Sequence, residues 1–219
     1  DVELYSYNLN QLSKVQIESV AKKLDIKIHL LPIPWWYTFI LNYFLSFRLF
    51  LKKPIGNYIR LNAKQINIIK KKKPDGIWIY GEELAGHSKY FDGTKCIVTM
   101  PDCESLYYYR MLRQPWATMS LLQIMKYSFA YWQYKSLERR FCEKDVIYHF
   151  VGKEDAEFFK IMNSQADSLF LRHPLYAYNS EKTIKFHQPK IRLLFTGRYD
   201  FYCQHGSDAF LSELEKNSN

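Results

Sequence analysis

The sequence predicts an α/β fold in which a mainly parallel β-sheet carries helices on both of its faces. Three observations indicate this class. Six short apolar runs alternate with helical stretches, the first strand, helix and strand follow one another through short connections, and Gly or Pro residues punctuate the runs. A hydrophobic fraction of 47% in 219 residues is enough for one large core, or for one core and the start of a second.

The chain begins with a predicted strand, helix and strand. Residues 2–7 are a short strand candidate, and Ser13 is placed to cap a helix that ends at Leu24, because apolar side chains recur there at helical spacing. In residues 26–31 apolar and polar side chains alternate as in a strand, and Pro32 ends the run.

The segment from Trp35 to Leu51 (WWYTFILNYFLSFRLFL) is the most unusual part of the chain. Its length suggests a membrane span, but Asn42, Ser46 and Arg48 interrupt it. One interpretation is a buried helix with a loop beside the core. The other is an interfacial helix whose aromatic side chains and flanking lysines give peripheral membrane contact.

The middle of the chain continues the alternation of helix and strand. Residues 57–72 have isoleucines at helical spacing and end in a lysine run, which suits a helix C-terminus. The apolar runs at 77–80 and 95–100 predict buried strands, each followed by a polar loop. The later predicted elements are two helices within 106–142 broken near Pro115, a strand at 146–151, a helix at 153–162 and a short strand at 168–171.

The C-terminal part predicts the start of a second domain. Residues 190–200 (KIRLLFTGRYD) suit a buried parallel strand that ends in a turn at Gly197, with Arg198 directly after it and a helix at 207–216. A strand, a glycine turn, an arginine and a helix N-terminus together predict a phosphate site. We therefore predict an α/β domain at 1–178, a linker at 179–189 and the first strand and helix of a truncated second domain at 190–219.

Charge and cysteine content narrow the classes of partner. The formal net charge of +9 favours anionic partners, namely nucleic acid, acidic lipid head groups or phosphorylated small molecules. The four cysteines form no CxxC pair, and no histidine spacing completes a zinc pattern, so we predict free thiols and no metal site. With no secretory signal visible, a reducing, cytoplasmic compartment is expected.

Acidic side chains follow two of the predicted strands directly. Asp102 and Glu104 come after the strand at 95–100, at the carboxyl end where ligands bind in open α/β sheets. Asp102 can orient an acceptor hydroxyl or take its proton. The alternative is structural: Asp102 or Ser105 caps the next helix, and Glu104 lies in its first turn. Glu82 follows the strand at 77–80 directly, so it too is expected at the carboxyl end of a strand. Arg110 is a candidate contact for an anionic acceptor.

Three segments in this order resemble the family-4 type of GT-B glycosyltransferases. VTMPDCESLYYYRM is similar to the D-x-E-S motif at a strand end, followed by a helix rich in Tyr and Arg. SLERRFCEKDVIYHFVGKEDAEFF is similar to a segment with a glutamate, an aspartate-valine pair and a later aspartate. Its matching positions are Glu138, Asp145, Val146, Val151 and Asp155, with Gly152 where serine is usual. LLFTGRYD resembles the first strand and glycine turn of the nucleotide-sugar domain.

The resemblance implies a Rossmann-like acceptor domain of a retaining, metal-independent glycosyltransferase. Such enzymes use a nucleotide-diphosphate sugar as donor and need no further cofactor. Gly197 and Arg198 match the diphosphate-binding turn, and His205 stands where the family has a lysine. The glycine-rich first loop is replaced by Asn8-Leu9-Asn10, which makes Asn10 the donor-side candidate there. The implied acceptor is a glycan or a lipid-linked sugar, used in the cytoplasm at the inner face of the cell membrane.

The resemblance also implies that this chain alone lacks transferase activity, since the family's glutamate pair falls beyond Asn219. Two other functions stay open. One is a basic α/β domain that binds nucleic acid, although the basic residues are spread along the chain and no nucleic-acid-binding motif occurs. The other is a different GT-B-shaped enzyme, such as a nucleotide-sugar epimerase. Our expectation is the transferase, with no nucleic-acid partner.

Overall fold

A computed structural model describes residues 2–113 and 119–172, together with Ser212, Glu213 and Lys216. The chain divides into two compact units, Asp1–Arg172 and His173–Asn219. In the second unit the three described residues are helical, in agreement with the helix predicted at 207–216. The predicted linker and the strand at 190–200, with Gly197, Arg198 and His205, lie outside the described residues.

The strands and helices of the first unit follow the predicted order. The strands are β1 (Glu3–Tyr7), β2 (Lys27–Leu31), β3 (Ile77–Tyr80), β4 (Cys96–Met100), β5 (Val146–Phe150) and β6 (Asp167–Phe170). The α-helices are α1 (Lys14–Leu24), α2 (Trp35–Tyr43), α3 (Ala63–Lys71), α4 (Glu104–Leu112), α5 (Leu121–Glu138) and α6 (Lys153–Met162). Helices of the 3-10 type span Leu45–Phe50, Ile55–Tyr58 and Glu82–Phe91. Each of the six strands predicted between residues 2 and 171 is present, with its ends within one residue of the prediction.

Every strand pairing among the described residues is parallel, which confirms the α/β class. The strands form two sheets, one of order β1-β2 and one of order β3-β4-β5-β6. The sequence predicts one sheet and does not show this division. Tyr5 and Tyr7 of β1 still pack against the hydrophobic core of the four-stranded sheet, so both sheets share one core.

The core lies against one face of the four-stranded sheet, because side chains alternate between faces along each strand. Val98, Tyr148 and Phe150 point to this face and are almost fully buried. Phe159 of α6 packs on the rings of Tyr148 and Phe150, with ring centroids 5.3 and 5.0 Å away.

The opposite face of the same sheet exposes large side chains. Trp78 is 70% exposed and Tyr80 is 59% exposed. A row of hydrogen bonds crosses this face: the Trp78 indole donates to the Thr99 hydroxyl at 2.7 Å, and that hydroxyl lies 2.9 Å from Nδ1 of His149. Polar contacts therefore join β3, β4 and β5 on the side of the sheet away from the core.

Helix starts follow from local hydrogen bonding. The predicted cap Ser13 is confirmed, since its hydroxyl accepts from the Gln16 amide while the Gln16 side chain accepts from the Ser13 amide. The same reciprocal pair occurs between Asn62 and Gln65 at the start of α3. This pair explains why α3 begins at residue 63, six residues after the predicted start.

The segment from Trp35 to Leu51 is not a buried helix. It forms α2 and the 3-10 helix Leu45–Phe50, and α2 contains no buried residue. Trp35 is 78% exposed and Tyr43 is 73% exposed. The interpretation of this segment as part of the core is therefore wrong. Apolar composition alone does not distinguish a core helix from an exposed one.

Candidate functional site

Six acidic side chains gather at the carboxyl ends of β3 and β4. Because these strands are parallel neighbours, their carboxyl ends lie at the same edge of the sheet. The members interact electrostatically with one another, and we call them the carboxylate cluster: Glu82, Glu83, Asp102, Glu104, Glu138 and Asp155. The predicted candidates Glu82, Asp102 and Glu104 thus belong to one site.

The turn after β3 depends on a glycine. Gly81 has φ 101°, a conformation that residues with a side chain rarely adopt. Its amide donates to the Thr99 carbonyl of β4 at 3.0 Å, and its own carbonyl accepts from the Leu84 amide at 3.1 Å. This turn leads directly into the 3-10 helix and leaves the Glu82 side chain only 5% exposed.

Two later carboxylates hold the loop after β4. The Ser105 amide donates to Oε1 of Glu138 at 3.0 Å, and the Ser105 hydroxyl donates to the other carboxylate oxygen. The Cys103 amide donates to Oδ1 of Asp155 at 2.9 Å. These acceptors replace a side-chain cap, which α4 lacks, and negative charge is favourable at a helix N-terminus.

This arrangement settles the structural alternative for the loop. Capping of α4 by Asp102 or Ser105 is wrong, because the cap residue is Cys103 and Glu138 accepts both hydrogen bonds from Ser105. Glu104 does lie in the first turn of α4. Asp102 is exposed and caps none of the described helices, so its carboxylate is accessible to solvent.

Glu82 is the most deeply buried of the predicted acidic candidates. Neither oxygen of its carboxyl group has a hydrogen-bond donor in the part of the chain that the structure describes. Burial and then the neighbouring Glu138 raise the pKa of Glu82 well above its usual range. The protonated form of Glu82 is therefore favoured, and a protonated carboxyl group can donate one hydrogen bond.

Glu104 titrates near neutrality. It is half-buried, and burial, followed by the charges of Asp102 and Glu138, raises its pKa to about 7. Partial burial and Asp155 raise the pKa of Asp102 as well. A carboxylate with a pKa near the working pH is suited to act as a general base.

Tyrosines from α4 and α5 line the carboxylate cluster. The Tyr134 hydroxyl donates to Oε1 of Glu83 at 2.8 Å, and the ring of Tyr108 stacks on Tyr134 with centroids 5.6 Å apart. Burial raises the pKa of Tyr108 to about 12 and also raises the pKa of Tyr134, so both hydroxyls stay protonated. The pairs Ser105–Glu138 and Tyr108–Tyr134 run in opposite order along the two helices, which are therefore antiparallel.

Two glycines leave space for members of the carboxylate cluster. A Cβ atom at Gly56 would overlap the carboxylate of Glu83, and a Cβ atom at Gly152 would overlap that of Asp155. Gly152 is the position where the resembled family has serine. Its lack of a side chain allows Asp155 to fold over the start of α6 while accepting from Cys103.

The other predicted site residues lie apart from the carboxylate cluster or outside the described residues. Arg110 forms an ion pair with Glu154 of α6. Asn10 is exposed in the turn after β1, and within the described ranges no hydrogen bond connects it to the cluster. The donor-side candidates Gly197, Arg198 and His205 are not among the described residues. No group of three or more His, Cys, Asp or Glu side chains in the described part has the geometry to hold a metal ion.

Sequence reasoning assigned no role to Glu83, Glu138, Asp155 or Tyr134. Only the family resemblance indicates the positions of Glu138 and Asp155. Glu138 ends α5, and Asp155 lies in the first turn of α6, five residues after β5. The available signal for Asp155 was the glycine at 152, since a helix cap without a side chain leaves room for an acidic residue three positions later.

No protein-family model, curated protein or solved structure matches this chain with significance.

Proposed function

We propose that the unit Asp1–Arg172 is the acceptor-side domain of a GT-B glycosyltransferase of the family-4 type. The observation that carries this proposal is Glu104, whose pKa is about 7, beside the exposed Asp102 and the buried Glu82. This group lies at the carboxyl ends of parallel strands, where ligands of open α/β sheets bind. Transfer of a sugar to a hydroxyl requires an acceptor for the hydroxyl proton and groups that orient the ring.

The side chains have distinct roles in this proposal. Asp102 and Glu104 accept hydrogen bonds from acceptor hydroxyls, and the ionised form of Glu104 takes the reacting proton. Glu82 is buried and does not reach the acceptor, but its protonation leaves the carboxylate cluster with one negative charge fewer. The nucleotide-diphosphate sugar would be bound by residues matching the family's second domain, including Gly197 and Arg198, with no metal. The acceptor would be a glycan or a lipid-linked sugar.

Binding of neutral glycans tests the acceptor site. We expect at least one glycan or lipid-linked saccharide in a panel to give saturation-transfer NMR signals with the 219-residue chain. Asp102→Asn combined with Glu104→Gln should weaken that binding at least tenfold, because each lost charge-assisted hydrogen bond costs about 1.5–3 kcal/mol.

The matched control removes two exposed carboxylates outside the carboxylate cluster, Glu157→Gln with Asp167→Asn, and should leave glycan binding unchanged. Absence of binding across the panel, or equal weakening by both pairs of substitutions, would exclude the acceptor site. If the chain binds nucleotide sugars but binds no glycan of the panel, the epimerase is favoured instead.

We also propose that this unit docks on anionic membranes, because a contiguous stretch of chain exposes its aromatic side chains together. Their exposed fractions are 78% for Trp35, 45% for Phe39, 73% for Tyr43, 48% for Phe47 and 81% for Phe50. Solitary exposed apolar residues are common, but so many in sixteen residues are typical of an interaction surface. No helix in the described ranges is long and apolar enough to cross a membrane.

Helix α5 extends this apolar surface. After Leu121, its exposed apolar residues recur every three or four positions, at Leu122, Met125, Phe129 and Trp132. The Gln133 side chain donates to the carbonyls of Arg48 and Leu51, both at 2.6 Å, and so fixes the aromatic segment to α5. Arg48 and Lys52 supply positive charge beside the aromatic side chains, as anionic head groups require.

Vesicle co-sedimentation tests membrane docking. Each basic residue near an anionic surface contributes about 1 kcal/mol, so Arg48→Glu with Lys52→Glu should weaken binding by at least 2 kcal/mol, or about thirtyfold. Lys23→Glu with Lys27→Glu makes the same change in net charge elsewhere and should have a much smaller effect. No binding to phosphatidylserine vesicles at low salt, or equal weakening by both variants, would contradict the proposal.

A further inference from the structure

A small basic pocket lies apart from the carboxylate cluster. Its volume is about 220 Å³, and four cationic side chains surround it: Lys53, Arg60, Lys89 and Arg140. We call this the basic pocket. The buried residues Asn57 and Phe141 also line it, so the cations stand around a cavity with a fixed wall.

The positive charge of the basic pocket is largely uncompensated. Lys89 forms an ion pair with Glu143 at 3.1 Å. No ion pair of Lys53, Arg60 or Arg140 occurs within the described residues. Four cations and one carboxylate leave a formal charge of +3 at the pocket. The Arg60 guanidinium donates to the Asn57 carbonyl at 2.6 Å, which holds it in place without neutralising it.

The cations are close enough to repel one another. Lys53 is half-buried, and burial, followed by the charges of Arg140, Arg60 and Lys89, lowers its pKa. Like charges held together beside a cavity destabilise the unliganded fold and are relieved when an anion lies between them. The arrangement is thus suited to binding an anion.

We infer that the basic pocket binds a phosphate monoester or diphosphate group. Two arginines offer paired N–H donors that match phosphate oxygens, and two lysines add point charges. The volume is below the range of about 300–1,000 Å³ typical of pockets for drug-sized ligands, so it suits a small anion or the charged end of a larger molecule. This inference does not depend on the glycosyltransferase proposal, because none of the pocket's residues belongs to the carboxylate cluster.

The phosphate group has two possible sources. It belongs either to a soluble phosphorylated molecule or to a lipid head group, since Lys53 follows the exposed segment from Trp35 to Leu51 by two residues. Both sources present the same chemistry to the basic pocket, so the experiment needs one arm for each.

Titration of the whole chain with inorganic pyrophosphate, followed by calorimetry, tests the soluble source. We expect saturable binding that Lys53→Ala with Arg140→Ala weakens at least tenfold. The matched control is Lys71→Ala with Arg139→Ala, which removes one lysine and one arginine outside the basic pocket and should change affinity less than threefold. Lys53→Arg with Arg140→Lys keeps both charges and should retain binding, which separates charge from folding effects.

The second arm compares vesicles containing phosphatidic acid with vesicles of equal charge containing phosphatidylserine. A lipid source predicts that the wild type does not bind pyrophosphate. It also predicts that the Lys53→Ala, Arg140→Ala variant loses binding to phosphatidic acid vesicles but keeps its binding to phosphatidylserine vesicles. Binding of neither pyrophosphate nor phosphatidic acid, or equal loss in the variant and its control, would overturn the inference.

Discussion

Replacing Glu138 by alanine is expected to lower the free energy of unfolding by about 2–4 kcal/mol. Glu138 is fully buried and accepts from both the amide and the hydroxyl of Ser105. The substitution leaves these donors without an acceptor and opens a cavity between α4 and α5. Urea denaturation followed by circular dichroism measures the change.

The control for this substitution is Glu157→Ala, which removes an exposed glutamate from α6. Its ion pair with Lys153 is exposed, so the loss should stay within about 0.5 kcal/mol. Ser105→Ala should also destabilise the protein, and the double variant should lose less than the sum of the two single losses. Additive losses, or less than 1 kcal/mol for Glu138→Ala, would show that the contact with Ser105 does not stabilise the loop.

Replacing Glu104 by glutamine is expected to raise the free energy of unfolding relative to the wild type, and this gain should be larger at pH 8 than at pH 4.5. The folded-state pKa of Glu104, about 7, exceeds the ordinary value of 4.5, so the folded state binds more protons than the unfolded state between these limits. In the wild type, the contribution of protonated Glu104 to the free energy of unfolding is fully present below pH 4.5 and is lost as the pH rises through 7. Allowing for partial exposure, the variant should gain about 1–3 kcal/mol across this window.

The pH dependence that His87 gives to the free energy of unfolding has the opposite sign. The quantity to measure is therefore the difference in this free energy between the Glu104 variant and the wild type. His87 is buried, and burial, followed by the charge of Arg60, lowers its pKa to about 4. Its contribution is therefore lost as the pH falls from 6.5 to 4 and overlaps the change due to Glu104. Subtracting the wild-type curve cancels it. A difference that does not vary with pH would rule out a raised pKa at Glu104.

The elements of this fold could be predicted because their signals are local. The strands at β3 and β5 are apolar runs bounded by turn residues, and Ser13 caps α1 through a contact with Gln16. Asp102 and Glu104 could be found for the same reason, since a position after a strand is visible in the sequence. The division into two sheets depends on packing between distant elements and leaves no such signal.

The contacts that support the candidate site could not be predicted in this way. Tyr134 is 51 residues from its acceptor Glu83, and no local pattern connects them. The exposure of Trp35 and Tyr43 also depends on what packs nearby, because the same apolar composition serves a core helix and a surface one. The basic pocket combines side chains from three separated parts of the chain, which appear in the sequence only as scattered positive charge.

The order of synthesis affects when the loop after β4 can become ordered. The amides of Ser105 and Cys103 find their acceptors 33 and 52 residues further along the chain, in α5 and α6. During translation at about 5–20 residues per second, the loop emerges seconds before those acceptors exist. Contacts between residues so far apart in the sequence require the chain between them to close into a loop, and they form slowly. The loop is thus completed by the last helix of this unit, and until then its amides are left to water.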